Sequence, residues 1–300
     1  HKINRRNKVQ VGAIYSQYTY NMKSEFTDGS TNKTTNFLNA KGDAGLAQGF
    51  VSWKYKMNSK LSLVSGAHYT HFLLNNKNSF EPRIGFKYQA TPKQSFNAGL
   101  GIHSKLESFP TYFSMDSLNN QVNKNLDFSR AIHYVLGYSN NITENIFFKS
   151  ELYYQQLDRI AVENDATSSF SLINSTGGGF VREPLVNEGV GYNYGLELTL
   201  ERYYAKNYFY LITASVYDSK YKAKDGVWRD TKYNGNYAGN VLFGKEFQIG
   251  DKSKNRVIGT SLKVIWIGGA RYTKIDLAAS NAAEETVYED EPFVTKADDV

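Results

Sequence analysis

Residues 192–201 read YNYGLELTLE, in which large apolar residues alternate with polar residues or glycine. Alternate side chains of an extended chain point to opposite faces. One face of this segment carries Tyr192, Tyr194, Leu196, Leu198 and Leu200. The other face carries Asn193, Gly195, Glu197, Thr199 and Glu201. The segment is therefore predicted to form a β-strand that separates an apolar environment from a polar one.

The same alternation, more or less clean, recurs along the whole chain. It predicts eleven strands, near residues 8–21, 44–57, 61–73, 82–90, 94–104, 127–139, 146–157, 189–203, 208–218, 231–246 and 256–268. Most of these segments are longer than the five or six residues usual for a strand in a globular protein. Strands of about 9–11 tilted residues are what a lipid bilayer requires. The fold class predicted is all-β.

The connections between these strands switch between short and long. Short turns are predicted at 58–60, 90–93, 140–145, 204–207 and 248–255, and long polar loops at 22–43, 104–126, 158–187, 219–230 and after 268. One connection at the long-loop end, 74–80, is brief. The glycines Gly177–Gly179 indicate that loop 158–187 is flexible. Outer-membrane barrels place tight turns at the periplasmic end and large loops at the extracellular end. The asymmetry favours a transmembrane antiparallel β-barrel, and a soluble β-sandwich that binds a partner stays an alternative.

Composition excludes several classes of function. The chain has no cysteine, so it has neither a disulfide framework nor a thiolate metal site. The net charge is +6, but Lys and Arg are scattered and the tail is acidic, which argues against nucleic acid as a partner. His68 and His71 lie three residues apart and are expected on opposite faces of a strand. No metal site and no cofactor are predicted.

An enzymatic function is not expected either. A hydrolase needs a carboxylate or hydroxyl held within hydrogen-bond reach of an imidazole. Asp116, Asp158, Asp218 and Asp225 fall in or beside loops and His103 falls at a rim, and no spacing brings an acid and a histidine together. We therefore predict no catalytic residue.

Several stretches of the sequence resemble one family. They are Glu81–Glu107, Ile132–Tyr138, Asn187–Tyr203, Tyr217–Phe247 and Gly268–Asp276. In order and spacing they resemble the barrel of TonB-dependent outer-membrane receptors of the Bacteroidetes type. The resemblance implies a barrel of ~22 strands that is filled by an N-terminal plug and energised through a TonB box. It implies uptake of a scarce, bulky ligand, such as a siderophore, glycan, peptide or vitamin. A passive porin or an adhesin-like barrel is the alternative.

The number of predicted strands bears on how much of such a barrel is present. Single-chain bacterial barrels have an even number of strands, and an open sheet edge is not tolerated in lipid. Eleven strands are therefore expected to be a partial barrel. The resemblance implies that they form about the C-terminal half of the family's barrel, with the plug absent. The expected partners are outer-membrane lipid, the TonB complex through the missing N-terminal part, and a surface lipoprotein. The expected location is the bacterial cell outer membrane.

Candidate site residues follow from the faces and the loops. Polar side chains on the face opposite the lipid are predicted to line the lumen: Arg83, Lys87, Asn97, His103, Glu197 and Glu201. Aromatic and arginine side chains in the long loops are predicted to contact the ligand, because aromatics offer stacking area and Arg offers a planar fork for carboxylates. They are Tyr112 and Phe113 in loop 104–126, Arg159 in loop 158–187, and Trp228 and Arg229 in loop 219–230.

Overall fold

The computed structural model describes residues 3–27, 29, 32, 34–116, 118, 120–175, 181, 183–251, 256–289 and 291–297. The stretch Gly177–Gly179, predicted to be a flexible loop, lies outside these residues. Twelve strands form the main sheet: β1 Asn7–Thr27, β2 Thr34–Lys56, β3 Leu61–Phe72, β4 Lys77–Gln89, β5 Gln94–Lys105, β6 Ser129–Asn141, β7 Ile146–Glu163, β8 Leu185–Ala205, β9 Tyr208–Lys222, β10 Trp228–Asp230, β11 Tyr237–Gln248 and β12 Val257–Ile267.

The sheet is a continuous antiparallel meander. Its order is β1-β2-β3-β4-β5-β6-β7-β8-β9-β11-β12, and the short β10 pairs with the end of β9. The two-residue strands β13 Arg271–Tyr272 and β14 Thr295–Lys296 form a separate pair. The predicted all-β antiparallel barrel architecture is confirmed. The soluble sandwich is wrong, because the strands form one uninterrupted sheet and do not divide into two packed layers.

Helical structure is sparse. Among the described residues it consists of α1 Phe109–Tyr112, α2 Leu277–Ala283 and a 3₁₀ turn at Leu172–Asn174. Within the described ranges, no helix is long and apolar enough to cross a membrane.

The strand register fixes two chemically different faces. One row of directly paired residues runs Ile84, Leu100, Tyr134, Tyr154 and Tyr194 across five strands, and this side is called the apolar face. Large side chains on it are exposed: Leu136 is 58% and Leu152 53% accessible. A globular protein would bury such a surface. An uncovered apolar face on a long-stranded sheet is typical of a wall that faces lipid.

The strand boundaries differ from the predicted ones in several places. β4 begins at Lys77 and β7 ends at Glu163, both inside predicted loops, and β10 lies in the predicted loop 219–230. Residues 22–43 do not form a long loop, because β1 continues to Thr27 and β2 begins at Thr34. These two strands have 21 and 23 residues, about twice what a bilayer requires. They extend because they pair with each other and because loop residues cover one side of the extension. The strand predicted at 231–246 begins only at Tyr237.

The buried core of the protein lies among the loops. A group of apolar side chains from β2, β3, the region of α1, the end of β7, the segment before β6 and the start of β8 packs together, and we call it the loop cluster. It comprises Leu38, Ala40, Ala44, Leu46, Phe72, Tyr112, Phe113, Leu126, Phe128, Ala161, Val181 and Leu185. A second, smaller buried group, of Val162, Tyr221 and Ala223, lies at the same end of the sheet. Among the described residues, burial of apolar surface therefore stabilises chiefly the end of the sheet that carries the long loops.

Candidate functional site

The second face of the sheet, called the polar face, gathers the residues that the sequence predicted for the lumen. Lys87 lies directly opposite Asn97, and Arg83 lies opposite Gly101, two residues from His103 on the same strand face. The same alternation carries across β6 and β7 to Glu197 and Glu201 on β8. The register thus places Arg83, Lys87, Asn97, His103, Glu197 and Glu201 on one face.

A buried carboxylate organises part of this face. Glu81 accepts hydrogen bonds from the Ser79 hydroxyl at 3.0 Å and from the Ser104 backbone N–H at 3.2 Å. Its second oxygen lies 3.4 Å from the Arg83 guanidinium and 3.5 Å from His68 Nδ1. Charge-assisted bonds of this kind fix side chains in place. Glu81 is not among the residues predicted for the lumen, although its alternation with Ser79 and Arg83 indicates the same strand face.

Two histidines meet beside this carboxylate. The rings of His103 on β5 and His133 on β6 lie 4.5 Å apart between centroids. Ligating a metal usually takes three or four side chains. In the part of the chain that the structure describes, no group of three or more His, Cys, Asp or Glu side chains is placed to hold a metal ion. The contact is a packed pair of polar rings on the wall.

A cavity of about 310 Å³ opens between the polar face and the loops. Its wall includes His103, Lys105 and Ala131, and the 3₁₀ turn covers it with Leu172 and Ile173. Glu107 lines the same cavity and accepts a hydrogen bond from the Ser129 hydroxyl. Burial raises the pKa of the Glu107 carboxyl, and the Ser129 hydrogen bond opposes this rise. The cavity therefore combines the cationic Lys105 with a carboxyl whose pKa is raised by burial.

A second cavity of about 430 Å³ lies on the other side of the same turn. Phe170, Tyr221 and Phe293 give it aromatic walls, and Asn174 and Lys232 add polar groups. The Asn174 Oδ1 accepts the Lys232 backbone N–H at 2.9 Å. Its Nδ2 is buried and has no hydrogen-bond partner among the described residues. The turn thus divides the space above the polar face into two ligand-sized volumes.

Tyr112 and Phe113 do not occupy the position predicted for them. Both are buried in the loop cluster, with Tyr112 at 0% exposure and Phe113 4.6 Å from the Tyr20 ring between centroids. The Tyr112 hydroxyl accepts the Glu107 backbone N–H at 3.2 Å. The prediction that they contact a ligand does not fit this burial. They hold the loop 106–128 against β1–β3, because packing gives large aromatics more stabilisation than exposure.

The other three residues predicted to contact the ligand, Arg159, Trp228 and Arg229, do not lie on one face of the sheet. Arg229 lies on the polar face, where it is paired with Asp225 at 2.6 Å and Glu291 at 3.1 Å. Trp228 is its neighbour in β10 and points to the apolar face, against Tyr192 at 5.1 Å between ring centroids. The prediction that Trp228 faces the vestibule is therefore wrong, because successive residues of a strand alternate in direction.

Arg159 is also displaced from the predicted vestibule. It is the extra residue of a β-bulge in β7, with a left-handed φ of 54°. The bulge turns its side chain to the rim of the apolar face, where its Nη1 lies 3.4 Å from Asp127. Its backbone carbonyl accepts a hydrogen bond from the Asn187 side-chain amide at 2.9 Å, which holds the bulge in place.

A family model described as TonB dependent receptor-like, beta-barrel matches residues 2–295. The chain belongs to this family. As a TonB-dependent receptor barrel it is an outer-membrane protein, and the other members are receptors and transporters.

Solved structures of the same architecture cover much longer chains. The receptor barrel superposes on the ferric yersiniabactin uptake receptor FyuA from Yersinia pestis with a TM-score of 0.64 and 11% identity, covering 90% of this chain and 41% of that one. The FrpB iron transporter from Neisseria meningitidis superposes with a TM-score of 0.60 and 14% identity, covering 90% of this chain and 41% of that one. The outer membrane transporter YddB from Escherichia coli superposes with a TM-score of 0.53 and 12% identity, covering 95% of this chain and 42% of that one.

These comparisons fix the fold and the family. The chain spans about two fifths of the length of each of these proteins. No curated protein matches the sequence.

Proposed function

We propose that this chain forms part of the wall of a TonB-dependent transporter that takes up a bulky, scarce ligand, such as a siderophore, glycan, peptide or vitamin. One observation carries the proposal. A continuous sheet has an uncovered apolar face, and its long loops pack over the polar face at one end. A wall with lipid on one side and a loop-covered polar lumen on the other suits a gated pore. The proposed role is reception and transport, without catalysis.

In this proposal the polar face lines the lumen. Arg83, Lys87, Asn97, His103, Glu197 and Glu201 would face the transported ligand and its water. The two cavities beside the 3₁₀ turn would take parts of the ligand at the extracellular entrance, because they offer aromatic walls, unpaired N–H groups and cationic side chains together. Arg229 remains a candidate contact on this side, with its charge already balanced by Asp225 and Glu291.

The partners of the complete receptor belong to the same proposal. The TonB complex would act on the plug and the TonB box upstream of His1, and a surface lipoprotein would help to capture the ligand. Outer-membrane lipid would contact the apolar face. Family membership supports the TonB and lipid partners, and the share of its relatives' length that the chain spans is consistent with a plug elsewhere in the protein.

Uptake by cells that express the full-length receptor tests the proposal. The probes are ⁵⁵Fe bound to hydroxamate and catecholate siderophores, ⁵⁷Co-labelled cobalamin, and fluorescent oligosaccharides and peptides. We expect one probe to accumulate with intact TonB and not after tonB deletion or protonophore treatment. Accumulation that survives both treatments would favour the passive porin, and binding without accumulation would favour the adhesin-like barrel.

A matched pair of substitutions tests the entrance. Ala131→Trp fills the cavity beside His103 on the polar face. Ala214→Trp adds the same bulk to the apolar face of β9, opposite Leu198. We expect the first variant to lower uptake on the order of tenfold, as when an interaction worth about 1.4 kcal/mol is lost, and the second to leave it unchanged. Equal uptake in the two would contradict a ligand path along this cavity.

A further inference from the structure

The apolar face carries an open groove toward its long-loop end. Its volume is about 600 Å³. The groove exists because β3 contributes only the small side chains Ser65 and Ala67 between Trp53 on β2 and Ile84 on β4. Tyr134 on β6 lines its far side. A flat lipid-facing wall needs no such depression, and bilayer lipid must fill it, because a dry void there forfeits dispersion contacts.

The groove continues upward to the rim. A second depression of about 380 Å³ shares Pro82 and Ile102 with the groove and ends at Phe128, Arg130 and Arg159. The lower part is therefore apolar and the upper end carries two guanidinium groups. That sequence of surfaces matches the polarity of one lipid molecule, with hydrocarbon below and an anionic head above.

The two arginines are not equally available. Arg130 makes three contacts of 2.8–3.1 Å with Asp158 through Nε and Nη2, so a carboxylate already balances its charge and occupies one edge of its guanidinium. Arg159 has one long contact, 3.4 Å to Asp127, and its side chain is 46% exposed. A phosphate would displace that contact and accept a bidentate pair of hydrogen bonds from Arg159. Asp127 competes with the phosphate for the same guanidinium.

We propose that this groove is a binding site for one phosphate-bearing lipid of the outer leaflet, with an acyl chain along Ala67 and Ser65 and the phosphate on Arg159. The site is independent of transport, because it lies on the face opposite the lumen. Long loops mark the extracellular end of such barrels, so the lipid belongs to the outer leaflet.

Native mass spectrometry of the full-length receptor in detergent tests the site. The probes are bisphosphorylated lipid A and its chemically dephosphorylated form. We expect a bound lipid A on the wild type, and a loss of affinity on the order of tenfold, or about 1.4 kcal/mol, in Ala67→Trp, which fills the groove. Ala214→Trp adds the same bulk elsewhere on the apolar face and should bind like the wild type. Equal binding by both variants would overturn the site.

Two charge variants test the phosphate contact even if Ala67→Trp does not fold. Arg159→Gln should weaken lipid A binding and leave the dephosphorylated form unaffected. Asp127→Asn should strengthen lipid A binding, because it removes the competing carboxylate while its Oδ1 can still accept the Phe128 N–H. A merely structural role of the ion pair would move both variants in the same direction. That result, or equal affinity of the wild type for the two lipids, would refute the phosphate contact.

Discussion

Replacing Leu198 by arginine tests which face of the sheet meets lipid. Leu198 lies on the apolar face of β8, directly opposite Ser150 and Ala214, and is 38% exposed. It lies seven residues from the end of the strand at Ala205. Seven residues at ~3.3 Å each, tilted by ~40°, raise it about 18 Å above the turn. That height is close to the middle of a hydrocarbon core ~30 Å thick.

At this depth an arginine is expensive. Charged residues on the lipid face near the midplane cost ~2–4 kcal/mol in outer-membrane barrels. Since ~1.4 kcal/mol is a factor of ten, Leu198→Arg should lower the folding equilibrium constant by about 30- to 700-fold. The measurement is guanidinium unfolding of the full-length receptor in phospholipid vesicles, followed by tryptophan fluorescence and by mobility on an unheated gel. An unchanged dependence on denaturant confirms that the same surface is being exposed.

The matched control adds the same arginine to the polar face. Ser215 lies opposite Glu197 on β9, where a new guanidinium meets a carboxylate and water. Such an exposed pair contributes about 0–1 kcal/mol, so Ser215→Arg should be close to neutral. Glu197→Gln should be mild for the same reason. If the two arginine variants lose similar free energy of unfolding, the assignment of the faces is refuted.

Three further predictions concern the loops. Tyr112→Ala should lower the free energy of local unfolding of the loops by about 3–5 kcal/mol, because it opens a cavity in the loop cluster. Limited proteolysis should detect this as faster cleavage of the loops. Leu118 is exposed, so Leu118→Ala should leave the cleavage rate unchanged. Asn123→Ala should lower the local free energy of unfolding by about 1–3 kcal/mol, because the buried Leu185 N–H, which donates to Asn123 Oδ1 at 2.7 Å, loses its acceptor. Faster hydrogen exchange of the Leu185 amide would measure this loss. Since burial raises the pKa of Glu107, the folded loop binds its proton more tightly than the unfolded loop does. Loop stability should therefore be greatest below the ordinary glutamate pKa of about 4.3 and fall as pH rises through the folded pKa, and Glu107→Gln should remove that dependence; equal pH profiles of the two proteins would contradict it.

The places where prediction and structure differ have a common cause. Each of the eleven predicted strand ranges overlaps a strand of the sheet, because alternation is a local property of the chain. Residues 22–27 and 34–43, predicted as loop, form the ends of β1 and β2, because the distant loop cluster stabilises this extension. The predicted exposure of Tyr112 and Phe113 is wrong because the same distant residues bury them. Their burial depends on Leu38, Phe72 and Leu185, which are far away in sequence.

The sequence by itself determined the all-β class, the approximate positions of eleven strands and the two faces. Side-chain direction in a strand repeats every two residues, so it can be read without knowing the neighbours. Only the tertiary structure decided which loop residues are buried, paired or turned to the outer rim. The bulge at Arg159, the ion pairs of Arg229 and the two cavities beside the 3₁₀ turn all depend on contacts between segments far apart in sequence. Alternation carries no information about such contacts, because they depend on how the loops fold back over the sheet.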